Sequence, residues 1–92
     1  MKRVFKYHVA TNDNVTFSAP SDFDLIHIGE QDGELMVWGI VEVDNIGSAI
    51  HGGKDMRLCI RGTGHSFLGN EGEHIKTVQM RNGLVWHIFW RL

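Results

Sequence analysis

Apolar and polar residues alternate along most of this chain, which is the pattern of β-strands that bury one face and expose the other. The first such segment covers residues 3–9, with Phe5, Tyr7 and Val9 on one face. Further strand segments are predicted over residues 15–18, 23–28, 34–43, 56–61, 73–80 and 84–90. No stretch sustains the helical period, so the pattern predicts a chain built from about seven strands.

Turn-forming residues separate these segments. Asp32-Gly33 and Asn82-Gly83 are dipeptides typical of tight β-hairpins. Residues 44–55 are polar and rich in glycine, which predicts a mobile connection, and residues 67–72 predict a loop with one short helical turn. The composition, with eleven glycines and one proline, also favours short strands joined by tight turns. We expect a single all-β domain over residues 1–92, an antiparallel β-sandwich or a partly open barrel.

The fourth and seventh segments are apolar on both faces. A sandwich of this size covers only one face of each sheet, so the second apolar face needs another partner. We therefore expect a homo-oligomer.

Composition and charge exclude several classes of function. A formal net charge of -2 argues against binding to long nucleic acids. No apolar run is long enough to span a membrane, so no membrane partner is expected. The one cysteine, Cys59, cannot form an intrachain disulfide or a thiolate zinc site, and its apolar neighbours suggest a packed residue.

Catalytic chemistry has no recognisable basis in the sequence. The six histidines are scattered without metal-ligand spacing, which leaves only a histidine site assembled across strands as an alternative. No nucleophile stands beside a base in a familiar local context. We therefore expect no catalytic residue, no metal and no cofactor, and we predict that the protein is not an enzyme.

The clearest candidate site is the segment Arg61-Gly62-Thr63-Gly64-His65, which follows the fifth strand segment. Backbone N–H groups at a glycine turn can hold a phosphate, and arginine adds bidentate hydrogen bonds. In that interpretation Arg61 contacts the anion, the backbone of Gly62 to Gly64 shapes the pocket with Thr63, and His65 donates a hydrogen bond. The alternative is an ordinary β-turn in which the histidine ties down a loop.

Other residues join the candidate site by pattern alone. Alternation places Met56, Leu58 and Ile60 inward, and it places Arg57, Cys59 and Arg61 on the outward face. Arg57 is therefore a second candidate for phosphate contact. The tryptophans at 38, 86 and 90 could stack on a nucleobase, or they could instead pack in the core or in an oligomer interface.

Several short segments, taken in order, carry a resemblance to a known family. They are residues 2–7 (Lys-Arg-Val-Phe-Lys-Tyr), 35–38 (Leu-Met-Val-Trp), the turn at 61–65, residues 77–79 (Thr-Val-Gln) and residues 85–89 (Val-Trp-His-Ile-Phe). Together they resemble a family of small uncharacterised proteins of bacteriophages and prophages. Its members usually continue the turn with Pro-Ile, where this chain has Ser66-Phe67. The resemblance implies a setting, the cytoplasm of an infected bacterium, and no particular reaction.

These observations give one leading hypothesis and one alternative. The leading hypothesis is a non-enzymatic phage counter-defence protein that sequesters a small anionic host signal, a cyclic or linear nucleotide. The alternative is a protein–protein interaction module that inhibits a host defence protein, or a small structural accessory. The alternative would use the apolar strand faces and needs no ligand pocket.

Overall fold

Seven antiparallel strands in two sheets make up the computed structural model, which describes residues 1–91 and the side chains of residues 1–90. The strands are β1 (Lys2–Val9), β2 (Asn14–Pro20), β3 (Asp24–Gln31), β4 (Glu34–Glu42), β5 (Gly53–Gly62), β6 (Glu73–Gln79) and β7 (Val85–Arg91). The described chain contains no helix and no closed barrel. It therefore has no helix that could cross a membrane. The prediction of a small all-β sandwich is confirmed.

The strands are divided between a three-stranded sheet, in the order β1-β4-β3, and a four-stranded sheet, in the order β2-β5-β7-β6. Two tight hairpins, β3–β4 and β6–β7, stay within one sheet. Asp32 and Gly33 both have positive φ, 53° and 82°, as their dipeptide predicts. In the second hairpin Gly83 has a φ of 88° but Asn82 has no positive φ, and the paired residues Met80 and Leu84 enclose a three-residue loop. The chain passes from one sheet to the other after β1, β2 and β4, and this brings the two sheets together.

The core lies between the sheets and is filled by alternate residues of the central strands. It includes Val37 and Val41 of β4 and Leu58 and Ile60 of β5, which all belong to one buried cluster. Three aromatic rings close one part of it: those of Tyr7, Phe17 and Phe23 lie with centroids 5.5 to 5.8 Å apart.

Gly39 makes room for one of these rings. A Cβ at this position of β4 would overlap the Phe23 side chain. The absence of a side chain at Gly39 therefore allows Phe23 to pack directly on the backbone of the strand.

The outward face of β5 differs from its prediction in one respect. Strand pairing places Cys59 opposite Phe89 and Arg61 opposite His87, on the face away from the core cluster. Both Cys59 and Arg61 are nevertheless buried, whereas Arg57 on the same face is exposed. The burial of Cys59, which contacts Asn14, agrees with its prediction as a packed residue. The predicted exposure of Arg61 is wrong, because Asp13 and Glu71 of the loop 63–72 contact its guanidinium. That loop contains no helical turn, contrary to prediction.

Candidate functional site

A buried ion pair lies at the base of the glycine turn. The Nε atom of Arg61 donates to Oε2 of Glu71 at 3.2 Å, and Nη1 donates to the backbone carbonyls of Asp13 at 2.7 Å and Ile60 at 3.2 Å. Arg61 is 9% exposed and Glu71 is 1% exposed. The guanidinium is therefore fixed in one orientation by three acceptors.

Glu71 in turn holds the loop that covers it. Its Oε2 accepts the N–H of Leu68 and its Oε1 accepts the N–H of Gly69, both at 2.8 Å. Burial alone would raise the pKa of the Glu71 carboxyl. The two backbone N–H groups, the backbone N–H of Glu71 itself and the positive charge of Arg61 together bring that pKa below its ordinary value. The carboxylate is therefore ionised at neutral pH and anchors the loop on the strand.

The turn itself is closed by His65. The N–H of His65 donates to the carbonyl of Gly62 at 3.0 Å, and the N–H of Gly62 donates back to Nδ1 of His65 at 3.1 Å. Because Nδ1 accepts a hydrogen bond, the neutral ring carries its proton on Nε2. A Cβ at Gly62 would lie 2.9 Å from Cε1 of the ring, so this glycine is required for the ring to lie here. Gly64 takes the left-handed conformation, with a φ of 89°.

Beside the turn is an open cavity of about 450 Å³. It is lined by Asp13, Arg61, Gly64, His65, Ser66 and Leu68. Within the described chain, Nη2 of Arg61 makes no hydrogen bond to protein, unlike Nε and Nη1. The lining of the cavity thus includes a basic residue with a fixed guanidinium (Arg61), a histidine (His65) and an acidic residue (Asp13). Its surface is suited to a small ligand that carries acceptor oxygens.

The structure divides the residues of the predicted site. Arg61, Gly64 and His65 line one cavity, and the rings of His65 and Trp86 are 6.1 Å apart. Arg57 does not line it. None of the three tryptophans lines it either: Trp86 and Trp90 pack against the core, and Trp38 is on the three-stranded sheet, 5.2 Å from the ring of His27.

Thr63 takes part in a different arrangement, a chain of four hydrogen-bonded side chains. Its Oγ1 is 3.0 Å from Nε2 of His87, Nδ1 of His87 is 3.0 Å from Oγ1 of Thr77, and the same Oγ1 is 3.0 Å from Nε2 of His74. We call this chain the Thr–His relay. Thr77 has one hydroxyl proton, so it donates a hydrogen bond to one of its two histidine neighbours and accepts one from the other. The three hydrogen bonds of the relay therefore all run in the same direction, either towards Thr63 or towards His74.

Sequence patterns did not identify the relay, since it depends on strand register. Thr77 is paired with His87 and His74 with Phe89 across the β6–β7 hairpin. The ring of Phe89 is 5.3 Å from His74 and 5.4 Å from Phe67 of the loop, so an aromatic contact lies next to the relay. Thr63 and His87 have the atoms of a nucleophile and a base, but Thr77 is neutral and offers no charge to stabilise an imidazolium. The arrangement orders the surface of the sheet.

Comparison with known proteins gives one match. The sequence profile of a single family covers residues 1–92, and the description of that family is a domain of unknown function, DUF7352. No curated protein and no solved structure matches the chain. A profile match over the entire sequence shows membership, and the chain therefore belongs to the DUF7352 family.

Proposed function

We propose that this protein is a non-enzymatic binding protein that captures a small anionic, nucleotide-derived ligand in the cavity beside the glycine turn. One observation carries the proposal: Arg61, Gly64 and His65, three residues singled out from the sequence, line the same cavity. Preorganised donors favour binding, because little conformational entropy is lost when the ligand arrives. Arg61 is preorganised by Glu71 and two carbonyls.

The surroundings of the cavity favour one kind of anion. Glu71 compensates the charge of Arg61, and Asp13, a second acidic residue, is among the residues that line the cavity. A ligand with several adjacent negative charges, such as a linear triphosphate, would be repelled by Asp13. A cyclic nucleotide has a single negative charge on each phosphodiester and accepts hydrogen bonds in fixed directions. We therefore expect cyclic nucleotides to bind more tightly than linear triphosphates.

The biological part of the proposal rests on the resemblance to phage and prophage proteins. A protein that holds a host signalling nucleotide without turnover lowers the free concentration of that signal. Such a protein would act in the cytoplasm of the infected bacterium as a counter-defence factor. This role needs binding alone.

Calorimetric titration with a panel of cyclic and linear nucleotides tests the proposal. We expect at least one cyclic nucleotide to bind, and we expect His65→Ala and Arg61→Lys to weaken its binding at least tenfold. His8→Ala is the matched control, because His8 is exposed and belongs to the three-stranded sheet. Folding of each variant is checked by circular dichroism. Equal affinity of wild type and His65→Ala, or no binding by any nucleotide, would contradict the proposal.

A second candidate function, a protein–protein interaction module, is favoured by the outer face of the three-stranded sheet. Val4 of β1 is paired with Ile40 of β4, and Met36 and Trp38 alternate along the same face of β4. Val4 is 55% exposed, and the three β4 side chains are half-buried. This apolar face fits a second copy of the chain or a host defence protein. Sedimentation of wild type and Trp38→Glu tests the first possibility: we expect a dimer or larger assembly that dissociates in the variant, and a monomeric wild type would contradict it.

A further inference from the structure

A second cavity, of about 320 Å³, shares no lining residue with the cavity at Arg61. Its lining includes three acidic residues, Asp22, Asp24 and Glu42, with His51 and one basic residue, Lys2. Acidic groups therefore outnumber basic ones, and the local charge favours a cation.

Three side chains converge at this cavity from separate parts of the chain. Asp22 belongs to the turn between β2 and β3, Glu42 ends β4, and His51 precedes β5. One donor atom from each, two carboxylate oxygens and an imidazole nitrogen, lies within 4.8 Å of the other two. The three residues form no recognisable sequence motif, because they are separated by 20 and 9 positions in the chain.

Backbone hydrogen bonds hold the three segments together. The N–H of Glu42 donates to Oδ2 of Asp22 at 2.8 Å. On either side of His51, the N–H of Ile50 donates to the carbonyl of Glu42 at 3.2 Å, and the carbonyl of Gly52 accepts the N–H of Ser21 at 2.8 Å. His51 is thus tied on one side to Glu42 and on the other to the neighbour of Asp22.

One oxygen in this group has no protein partner. Oδ1 of Asp22 is buried and makes no hydrogen bond within the described chain. No ion pair joins Asp22 or Glu42 to a lysine or arginine in residues 1–90. A buried carboxylate oxygen without a donor is costly, and a bound cation would remove that cost.

We propose that Asp22, Glu42 and His51 form a binding site for one divalent transition-metal cation, with Zn²⁺ as the best fit. Imidazole with carboxylates is a donor set that Zn²⁺ accepts, whereas Mg²⁺ and Ca²⁺ prefer oxygen ligands alone. Zinc bonds of about 2.0–2.2 Å place tetrahedral ligands about 3.4 Å apart. The exposed His51 side chain can rotate to close the remaining distance. Three protein ligands leave the fourth position to water, and the ion would join the loop 43–52 to both carboxylate segments.

Titration of the purified protein with ZnCl₂, followed by calorimetry and thermal unfolding, tests this site. We expect binding of one Zn²⁺ per chain with micromolar affinity, and a rise in the unfolding temperature of about 5 °C or more at saturation. Binding of Mg²⁺ should be much weaker. His51→Ala should lower the Zn²⁺ affinity at least tenfold and abolish most of the thermal shift.

Two further variants separate this site from general zinc binding by surface histidines. His8→Ala is the matched control, because His8 is exposed and lies 3.7 Å from a single carboxylate, that of Glu34. Asp22→Asn removes a ligand charge while preserving size, so it should fold and lose Zn²⁺ affinity. The proposal is overturned if His51→Ala binds Zn²⁺ as tightly as wild type, or if His8→Ala loses as much affinity as His51→Ala.

Discussion

The guanidinium of Arg61 donates to the carboxylate of Glu71 at 3.2 Å, although the two residues are ten positions apart and both are buried on the outer side of a sheet. The pair joins strand β5 to the loop that follows it. Glu71 also accepts the N–H groups of Leu68 and Gly69, so the conformation of the loop depends on this carboxylate. The shape of the adjacent cavity therefore depends on an ion pair that contributes only part of its lining.

Removing either partner of the pair should destabilise the protein strongly, because the remaining charge stays buried without compensation. We expect Glu71→Ala and Arg61→Ala each to lower the unfolding temperature by about 10 °C or more. Thermal unfolding followed by circular dichroism measures the effect. Glu73→Ala is a suitable control, since Glu73 is exposed and forms no ion pair in the described chain. Equal unfolding temperatures of Glu71→Ala and Glu73→Ala would show that the pair is unimportant for stability.

Glu71 should also make stability depend on acidic pH. Its folded-state pKa is below the ordinary value of 4.5, so the unfolded chain takes up the proton more readily than the folded one. The stabilisation is fully present above pH 4.5 and is lost as the pH falls through the folded-state pKa. Unfolding in urea at several pH values should give a decline below about pH 4.5 that is shallower in Glu71→Gln. Parallel curves for the two proteins would contradict this assignment.

A methyl group at Gly62 should displace the His65 ring. The added Cβ would lie 2.9 Å from Cε1 and 3.0 Å from Nε2 of that ring. We expect Gly62→Ala to abolish the hydrogen bond from the Gly62 N–H to Nδ1, and NMR of the imidazole nitrogens would detect the change of tautomer. Gly52→Ala is the control, because a Cβ at Gly52 meets no atom within 4 Å. An unchanged His65 spectrum in Gly62→Ala would be inconsistent with the described turn.

The Thr–His relay predicts that one hydroxyl group links two histidines. Thr77→Val preserves the shape of the side chain but removes the partner of both His74 and His87. We expect a stability loss of about 1 kcal/mol, because two exposed hydrogen bonds are lost. NMR of the imidazole nitrogens should show that the signals of both histidines change together. Thr16→Val, on β2 of the same sheet, should leave both histidines unaffected, and a response of only one histidine to Thr77→Val would break the proposed chain.

Local pattern was sufficient to predict the architecture. Period-two alternation and the two hairpin dipeptides located all seven strands, with boundaries that differ from the structure by a few residues. These signals work because strand faces and turn conformations are determined by neighbouring residues. The prediction of β5 was correct in its inward residues Met56, Leu58 and Ile60.

Sequence patterns were less informative where residues meet across strands or through loops. The alternating pattern of β5 places Arg61 at an exposed position. It is buried because the loop after β5 brings Glu71 back into contact with it. Thr63 was expected at the ligand pocket, but the register of β5 and β7 brings His87 to it instead. Such contacts join residues that are far apart in the sequence. They leave no periodic pattern along the chain from which they could be predicted.

The burial of Cys59 makes its thiol a natural probe of local unfolding in this part of the sandwich. The side chain carries the single thiol of the chain, is 1% exposed, and donates to Oδ1 of Asn14 at 3.2 Å. A thiol reagent added to the folded protein can react only after local opening has exposed this side chain. The rate of thiol labelling, measured at several temperatures, would therefore report the frequency of local unfolding on this side of the sandwich without any engineered probe.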